Sequence, residues 1–302
     1  DFAAKGGVAM LSAVDGSGAF TGYGSLVRFG ASAGNVSFGR TAATGLNNAS
    51  GGAEFWPQMS LTFGTVNTGA VTGPVIFNEI MYHPPDYTGA EDDFQDEFIE
   101  LVNAATEDVD LGGWKIKGGR EYTFPIGTTL PAGGFLLVVS FDPSTTAALD
   151  AFKSYYGLTE SPAVYGPLSG ILPNSTCEVE LGYPANIGGY TRYVNVDKVE
   201  YRDSEPWPTG ADGGGVSLHR LSTFAIGNTA DNWTGAAPSP GSANNTALYT
   251  AVDITNGLRW WSGLAVLPSG ILPSYDVVSD GVFNLADVSR IARKAAGLET
   301  NP

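Results

Sequence analysis

The sequence has 302 residues, a formal net charge of −16 and a single cysteine. This acidic balance excludes a basic phosphate-binding surface, so we expect no nucleic-acid partner. The single cysteine, Cys177, excludes a disulfide framework and cysteine-based zinc sites, and we expect it to be buried as a small hydrophobic residue. No run of 18 apolar residues occurs, so we expect no membrane insertion.

The composition favours many short strands joined by tight turns, since the chain contains 41 Gly and 18 Pro beside 43% hydrophobic residues. Charged residues make up only 15% and the sequence pI is about 4.3. Low charge, acidity and the near-absence of cysteine are typical of a secreted or surface protein of bacteria. The first residue is Asp1 and not Met, so we expect that an upstream piece has been removed.

Residues 1–68 repeat the pattern of residues 179–244. The matched pairs, at offsets of 170 to 180, are Ala9–Leu11 with Val179–Leu181, Leu26–Phe29 with Lys198–Tyr201, Ser37–Arg40 with Ser217–Arg220, and Phe55–Trp56, Gly64 and Asn67 with Asn232–Trp233, Gly241 and Asn244. We therefore predict a partial β-sandwich module over residues 1–73. Half a sandwich leaves apolar residues uncovered, so we expect Met10, Phe29 and Trp56 to lie at an interface, either with the chain's own residues 74–245 or with another subunit.

Residues 74–245 contain the longest series of predicted strands. Glu97–Asn103 alternates cleanly, with Phe98 and Glu100 on one face and Ile99 and Leu101 on the other. We predict that Glu79 and Glu100 are solvent-facing carboxylates on their strands, and that residues 149–156 form one short helix. Strands at short, regular spacing between Gly and Pro turns predict a β-sandwich.

This block resembles the lamin tail domain, an immunoglobulin-like sandwich. The resemblance lies in Val75–Ile80, Glu97–Asn103, Val109–Trp114, Phe124–Pro125, Leu130–Phe135, Glu205–Pro208, Asp212–Leu218, Asn232–Trp233 and Pro240–Asn244. Bacterial lamin tail domains are non-catalytic accessory modules of large extracellular proteins. The resemblance therefore implies a structural or binding role.

The last part of the chain, residues 246–302, changes character. Val252–Leu264 resembles Ala286–Leu298 at an offset of 34, and each segment has the pattern of a short amphipathic helix that ends at glycine. A repeated loop-and-helix unit of this spacing resembles a dockerin, a small α-helical EF-hand-like module. Two adjacent tryptophans, Trp260 and Trp261, cannot both face one small core, so we expect one of them to contact another module or chain.

The segment from Asp276 to Asp287 has the spacing of a 12-residue calcium loop. Its predicted ligands are Asp276, Asp280, the Val282 carbonyl, Asn284 and Asp287, with Gly281 at the sharp turn. Val278 replaces the usual third ligand, which lowers the expected affinity for Ca²⁺. The alternative is a turn without metal in which Asp287 caps its helix.

A second acidic cluster, which includes Asp92, Asp93 and Asp96, is either a solvated loop or a weak calcium site. The residues for a catalytic site are scarce, because the chain has two histidines, His83 and His219, and no Gly-x-Ser-x-Gly motif. We expect the protein not to be an enzyme.

The sequence thus predicts a mainly β protein: a partial lamin-tail-like module at 1–73, a complete immunoglobulin-like sandwich at 74–245 and a dockerin-like module at 246–302. We expect an extracellular, cell-surface structural protein that self-associates or joins another surface protein in a fibre, sheath or adhesive layer. The alternative function is that of a dockerin-type anchoring module, or of a module that binds sugars or proteins for a larger secreted protein.

Overall fold

The computed structural model describes residues 4–40, 55–86, 94–158, 162–244, 257–263, 283–285, 287–289 and 291. These residues form a mainly β protein that contains an immunoglobulin-like β-sandwich, as the sequence predicts. The limits of the three predicted modules, 1–73, 74–245 and 246–302, stay a prediction.

Four strands precede the sandwich: β1 (Gly7–Val14), β2 (Phe20–Phe29), β3 (Phe38–Arg40) and β4 (Phe55–Pro57). Among its described residues the sandwich region contains one α-helix, α1 (Thr146–Tyr155), beside three short 3-10 helices. Its strands are β5 (Val75–Met81), β6 (Phe98–Asn103), β7 (Val109–Asp110), β8 (Lys115–Gly118), β9 (Tyr122–Thr123), β10 (Thr129–Leu130), β11 (Phe135–Val139), β12 (Ala163–Tyr165), β13 (Thr176–Ile187), β14 (Tyr190–Arg202), β15 (Ser217–Arg220) and β16 (Trp233–Ala236).

Two sheets form the sandwich. The larger has six strands in the order β12-β11-β6-β5-β15-β16, and the smaller has four in the order β14-β13-β8-β9. Their facing sides enclose one apolar core, which includes Phe77, Leu101, Leu181 and Tyr201. Cys177 lies in this core with 4% of its surface exposed, as expected of a small hydrophobic residue.

The outward face of the six-stranded sheet is also covered. Helix α1 lies against this face, where Phe152 joins a second apolar cluster with Met81, Phe98 and Leu137. The Phe98 ring meets the Phe152 ring edge to face at 6.1 Å. Because a third layer covers this face, the central strands β5 and β6 are buried along their whole length.

Strands β1 to β4 form two separate sheets. β1 pairs with β2, and β3 pairs with β4; within the described ranges neither pair joins the sandwich by strand pairing. The connection to the sandwich runs through the segment before β5, where the backbone N–H of Gly73 donates to the Val196 carbonyl at 3.2 Å. The two sheets thus lie beside a sandwich that is complete without them.

Only short pieces of the predicted dockerin-like module fall within the described residues. Residues 257–261 are helical, and so are 285, 287–289 and 291. No helix in the described part of the chain is both long and apolar enough to span a bilayer.

Candidate assembly interface

The exposed face of the β1–β2 hairpin has three apolar side chains at its centre, with the exposed Arg28 opposite Val8 at one end. Met10 lies directly opposite Leu26, and opposed residues of an antiparallel pair share one face of the sheet. Val8 lies two residues before Met10 and therefore shares that face. The exposed fractions of Val8, Met10 and Leu26 are 51%, 70% and 54%. We call these three residues the outer face.

The β13–β14 hairpin has the same register as β1–β2. Leu11 lies opposite Ser25, and Leu181 lies opposite Asp197, at the offsets of 170 and 172 that the sequence repeat predicts. The positions that correspond to the outer face are charged in β13–β14: Glu178 for Val8, Glu180 for Met10 and Lys198 for Leu26. The outer face is therefore apolar where the complete module has charged residues.

Those charged residues form ion pairs on the surface of the sandwich. Lys198 Nζ lies 2.6 Å from Glu178 Oε2, and Lys117 pairs with Glu180. Val8 is not among the predicted interface residues. Its alignment with Glu178 in the repeat is the signal that identifies it.

The opposite face of the hairpin, which we call the inner face, consists of Ala9, Leu11, Val27 and Phe29. Phe29 is half-buried, because its ring lies 6.2 Å from the ring of Phe38. Leu11, by contrast, has 77% of its surface exposed. The inner face is thus only partly covered by this chain.

Trp56 is covered by its own chain. Only 6% of its surface is exposed, and its Nε1 donates to the Val71 carbonyl at 2.7 Å. Its ring is therefore not available to a second molecule, although the sequence places it at an interface.

The two adjacent tryptophans have different surroundings. Trp260 is 7% exposed, and its ring meets Phe224 of the sandwich at 6.5 Å and Phe283 at 6.1 Å. Trp261 is 49% exposed. The helical residues 257–261 thus lie between the sandwich and the last described residues of the chain.

Two of the five predicted calcium ligands fall within the described residues. Asp287 is buried, and its Oδ2 accepts a hydrogen bond from the Asn284 backbone N–H at 2.9 Å. This is the capping contact expected at a helix start. Asp276, Asp280 and Val282 lie outside the described residues, so the calcium site stays a prediction.

The acidic cluster before β6 is only partly described. Asp92 and Asp93 lie outside the described residues, whereas Asp96 ends a short 3-10 turn, Phe94–Asp96, and is 7% exposed. The Asp96 carbonyl accepts a hydrogen bond from the Tyr156 hydroxyl at 2.6 Å. Among the residues with a described position, no three Asp, Glu, His or Cys side chains come together as a metal site.

The prediction that Glu79 and Glu100 face solvent is wrong, because both are completely buried. The segment after β16 crosses the outward face of β5 and β6 and covers them. Glu79 Oε1 accepts hydrogen bonds from Ser217 Oγ at 2.5 Å and from the Ser239 N–H at 3.0 Å. Glu100 Oε2 accepts one from the Gly241 N–H at 2.6 Å.

Burial dominates the protonation of this cluster. Desolvation raises the pKa of Glu79 to about 7. The pKa of Glu100 is raised to about 8, first by desolvation and then also by the nearby charge of Glu79. Desolvation lowers the pKa of His219, which lies on β15 beside Glu79, to about 4. The cluster therefore favours neutral groups.

Ser217, His219 and Glu79 are the residue types of a hydrolase triad but lack its geometry. Ser217 Oγ lies 2.9 Å from His219 Nε2, and Glu79 Oε1 lies 3.4 Å from the same nitrogen, whereas the acid of a triad binds the other ring nitrogen. All three residues have 0% of their surface exposed, so no substrate reaches Ser217 Oγ. The arrangement holds the segment after β16 on the sheet.

His83, the other histidine, lies near the surface. Its Nδ1 is 2.6 Å from Asp212 Oδ1, which connects the end of β5 to the loop before β15. No serine or cysteine contact of His83 is found in the described ranges. The pair is a loop contact.

Comparison with known proteins identifies the class of fold. Residues 68–181 match the family model of the Lamin Tail Domain, which agrees with the immunoglobulin-like sandwich and is a non-catalytic fold. A solved structure of a DUF4876 family protein from Bacteroides thetaiotaomicron is 14% identical, with a TM-score of 0.42, over 57% of this chain and 75% of that chain. No curated protein matches the chain. The chain is thus similar to the lamin tail domain over residues 68–181, and the match does not extend to residues 1–67 or 182–302.

Proposed function

We propose that the protein is a non-catalytic structural subunit of a bacterial assembly outside the cell. The assembly is a surface fibre, sheath or adhesive layer, and copies of the chain associate in it through the outer face. The observation that carries this proposal is the apolar outer face. Val8, Met10 and Leu26 replace residues that are charged in the complete module, and they are exposed. Contiguous exposed apolar side chains on a soluble protein mark an association surface.

The open strands support the same proposal. The β1–β2 hairpin is a two-stranded sheet, and such a hairpin is marginally stable by itself in water. Association with another chain would cover its apolar side chains and stabilise it. If the outer face contacts a different surface of the next copy, the contact propagates as a fibre or layer; two outer faces in contact would form a closed dimer.

Substitution of Met10 tests the proposal. Met10→Lys places a charge at the centre of the outer face, and we expect the concentration-dependent association of the full chain to be lost in sedimentation velocity. The matched control is Tyr190→Lys at the tip of the β13–β14 hairpin, since Tyr190 is 68% exposed. The control should associate like the wild type. Equal association of wild type and Met10→Lys would contradict the proposal.

The C-terminal residues offer a second candidate function. The dockerin-like module, with one Ca²⁺ held by Asp276, Asp280, Val282, Asn284 and Asp287, would anchor the chain to a partner protein. The specific observation in its favour is Trp261, which remains 49% exposed beside the buried Trp260. Two results together would favour anchoring. The wild-type chain would stay monomeric in the sedimentation experiment, and its binding to a partner protein would be lost on Trp261→Ala.

A further inference from the structure

The first two sheets, β1–β2 and β3–β4, are joined to the sandwich by a very short connection. Trp56 Nε1 donates to the Val71 carbonyl at 2.7 Å, so Val71 is attached to β4. Gly73 is already attached to the sandwich, because its N–H donates to the Val196 carbonyl at 3.2 Å. A single residue, Thr72, lies between these two attachments.

A short connection by itself leaves the angle between the two parts free to change. Compact parts of a chain that share little interface move relative to each other by default, and a few residues between them absorb the motion. Within the described ranges, strands β1 to β4 do not pair with the strands of the sandwich. The angle at Thr72 is therefore fixed only if a second contact joins the two parts.

The helical residues 257–261 make such a contact with the segment after β4. Arg259 Nη2 donates to the Asn67 carbonyl at 3.2 Å and to the Thr68 carbonyl at 3.4 Å. Asn67 is itself held in place, since its Nδ2 donates to the carbonyl of Arg40 in β3 at 3.1 Å. A charged guanidinium forms stronger hydrogen bonds than a neutral donor. This end of the contact thus binds a fixed part of the first two sheets.

The next residue of the same helix contacts the sandwich. Trp260 is 7% exposed, and its ring meets the ring of Phe224 edge to face at 6.5 Å. Neighbouring residues of a helix point about 100° apart, so Arg259 and Trp260 extend in different directions. Residues 257–261 therefore contact both parts of the protein at once.

Phe224 lies on a loop that is held by buried side chains of the sandwich. Arg220 donates to the Ser222 carbonyl at 3.1 Å from Nε and to the Ala225 carbonyl at 2.6 Å from Nη2. Asn232 Nδ2 donates to the same two carbonyls, at 3.0 Å and 3.3 Å. Because the backbone is fixed on both sides of Phe224, its ring is a firm support for Trp260.

We propose that residues 257–261 act as a clasp within the chain, with Arg259 on the first two sheets and Trp260 on the sandwich, and that this clasp fixes the angle at Thr72. The clasp would set the direction in which the outer face points relative to the sandwich. This inference goes beyond the proposed function, because it concerns one chain and holds whether or not copies associate.

The distance between two spin labels in the full chain tests the clasp. The labels are attached at Thr65→Cys, in the segment after β4, and at Asp150→Cys, on helix α1; both positions are exposed. The natural Cys177 is 4% exposed and too buried to take a label. Labelled chains are diluted with unlabelled chains, so that only distances within one chain are measured. Double electron–electron resonance should give a single narrow distance distribution for the parent chain.

Each end of the clasp has its own variant. Arg259→Ala removes the hydrogen bonds to the segment after β4, and Trp260→Ala removes the ring contact with Phe224. In both variants the narrow distribution should be lost and replaced by a broad one. Trp261→Ala is the matched control, since this ring is 49% exposed, and it should keep the narrow distribution.

The Arg259 variant leaves the ring contacts of Trp260 in place, so it tests the clasp even if Trp260→Ala unfolds the helix. A broad distribution in the parent chain would overturn the inference, because the angle would then not be fixed. A narrow distribution in Arg259→Ala or in Trp260→Ala, or equal broadening by Trp261→Ala, would overturn it as well.

Discussion

Arg220 and Asp197 form an ion pair in the interior of the sandwich, and both side chains are almost completely buried. The pair connects the two sheets, because Asp197 lies on β14 and Arg220 on β15. Asp197 Oδ2 also accepts the Phe77 N–H of β5 at 2.9 Å, and Arg220 Nη1 donates to the Phe77 carbonyl at 3.0 Å. Three strands thus meet at one buried charge pair.

Removal of one partner should destabilise the sandwich strongly. Asp197→Ala leaves the Arg220 guanidinium buried without its counter-charge, and we expect the free energy of unfolding to fall by about 3–5 kcal/mol. The control is Lys115→Ala, which breaks the exposed pair with Glu121 and should cost at most about 1 kcal/mol. Urea denaturation measures both. Equal effects of the two substitutions would show that the buried pair is not the link between the sheets.

The cluster of Glu79 and Glu100 makes stability depend on pH. Their folded-state pKa values, about 7 and about 8, lie above the ordinary value of 4.5. At pH values between 4.5 and these raised pKa values, the folded state binds more protons than the unfolded state. Stability therefore falls as the pH rises through this range. The pKa of His219 is lowered from 6.5 to about 4, so this residue makes stability rise with pH. Its effect lies mainly below about pH 6.5.

We therefore expect the free energy of unfolding to decrease between about pH 6.5 and pH 9. Glu100→Gln removes one of the two groups and should flatten this slope, whatever its effect on absolute stability. Denaturation curves at several pH values provide the measurement. A stability that rises over this range, or a slope that Glu100→Gln leaves unchanged, would contradict the assignment.

The sequence predicted the alternation of β6 but not the surroundings of its outward face. Phe98 and Glu100 do lie on one face of β6 and Ile99 and Leu101 on the other, since the period of a strand fixes which residues share a face. Glu100 is nevertheless buried, because Gly241, 141 residues further along the chain, donates to it. A local pattern contains no information about which distant segment covers a face.

The repeat predicted more of the structure of residues 1–68 than the alternation predicted of β6. It identified which strands correspond, and the register of Leu11 with Ser25 follows from that of Leu181 with Asp197. It did not predict that Trp56 is covered beside its own strands and not by residues 74–245 or another subunit, because the Val71 carbonyl that accepts its N–H has no counterpart in the matched segment. Trp233 donates instead to the Gly227 carbonyl.

Calcium binding can be measured on the full chain. Isothermal titration calorimetry should show one site that is lost in Asp280→Ala, because this substitution removes a predicted side-chain ligand. Val278→Asp restores the missing third ligand and should tighten binding by about tenfold. As a control, the double substitution of Asp92 and Asp93 by Ala should leave this site unchanged. Absence of heat at millimolar calcium, or binding that survives Asp280→Ala, would refute the loop.

The protein should show no hydrolase activity. The Ser217–His219–Glu79 arrangement is closed to substrate, and the His83 ring lies beside two carboxylates, those of Asp86 and Asp212. A screen with esters, glycosides, peptides and nucleic acids should therefore give no turnover. Turnover that disappears on substitution of Glu79, Glu100, His83 or His219 would reverse this conclusion.

In the proposed assembly, residues 1–68 join this chain to other copies, with the outer face as the site of self-association. Its most direct test is the molar mass, by light scattering, of the full chain and of a chain without residues 1–68, over a concentration series with calcium present. The sandwich has its own core, so the shortened chain should stay folded and monomeric, while the full chain grows in mass with concentration. A full chain that remains monomeric at the highest concentration would contradict the claim.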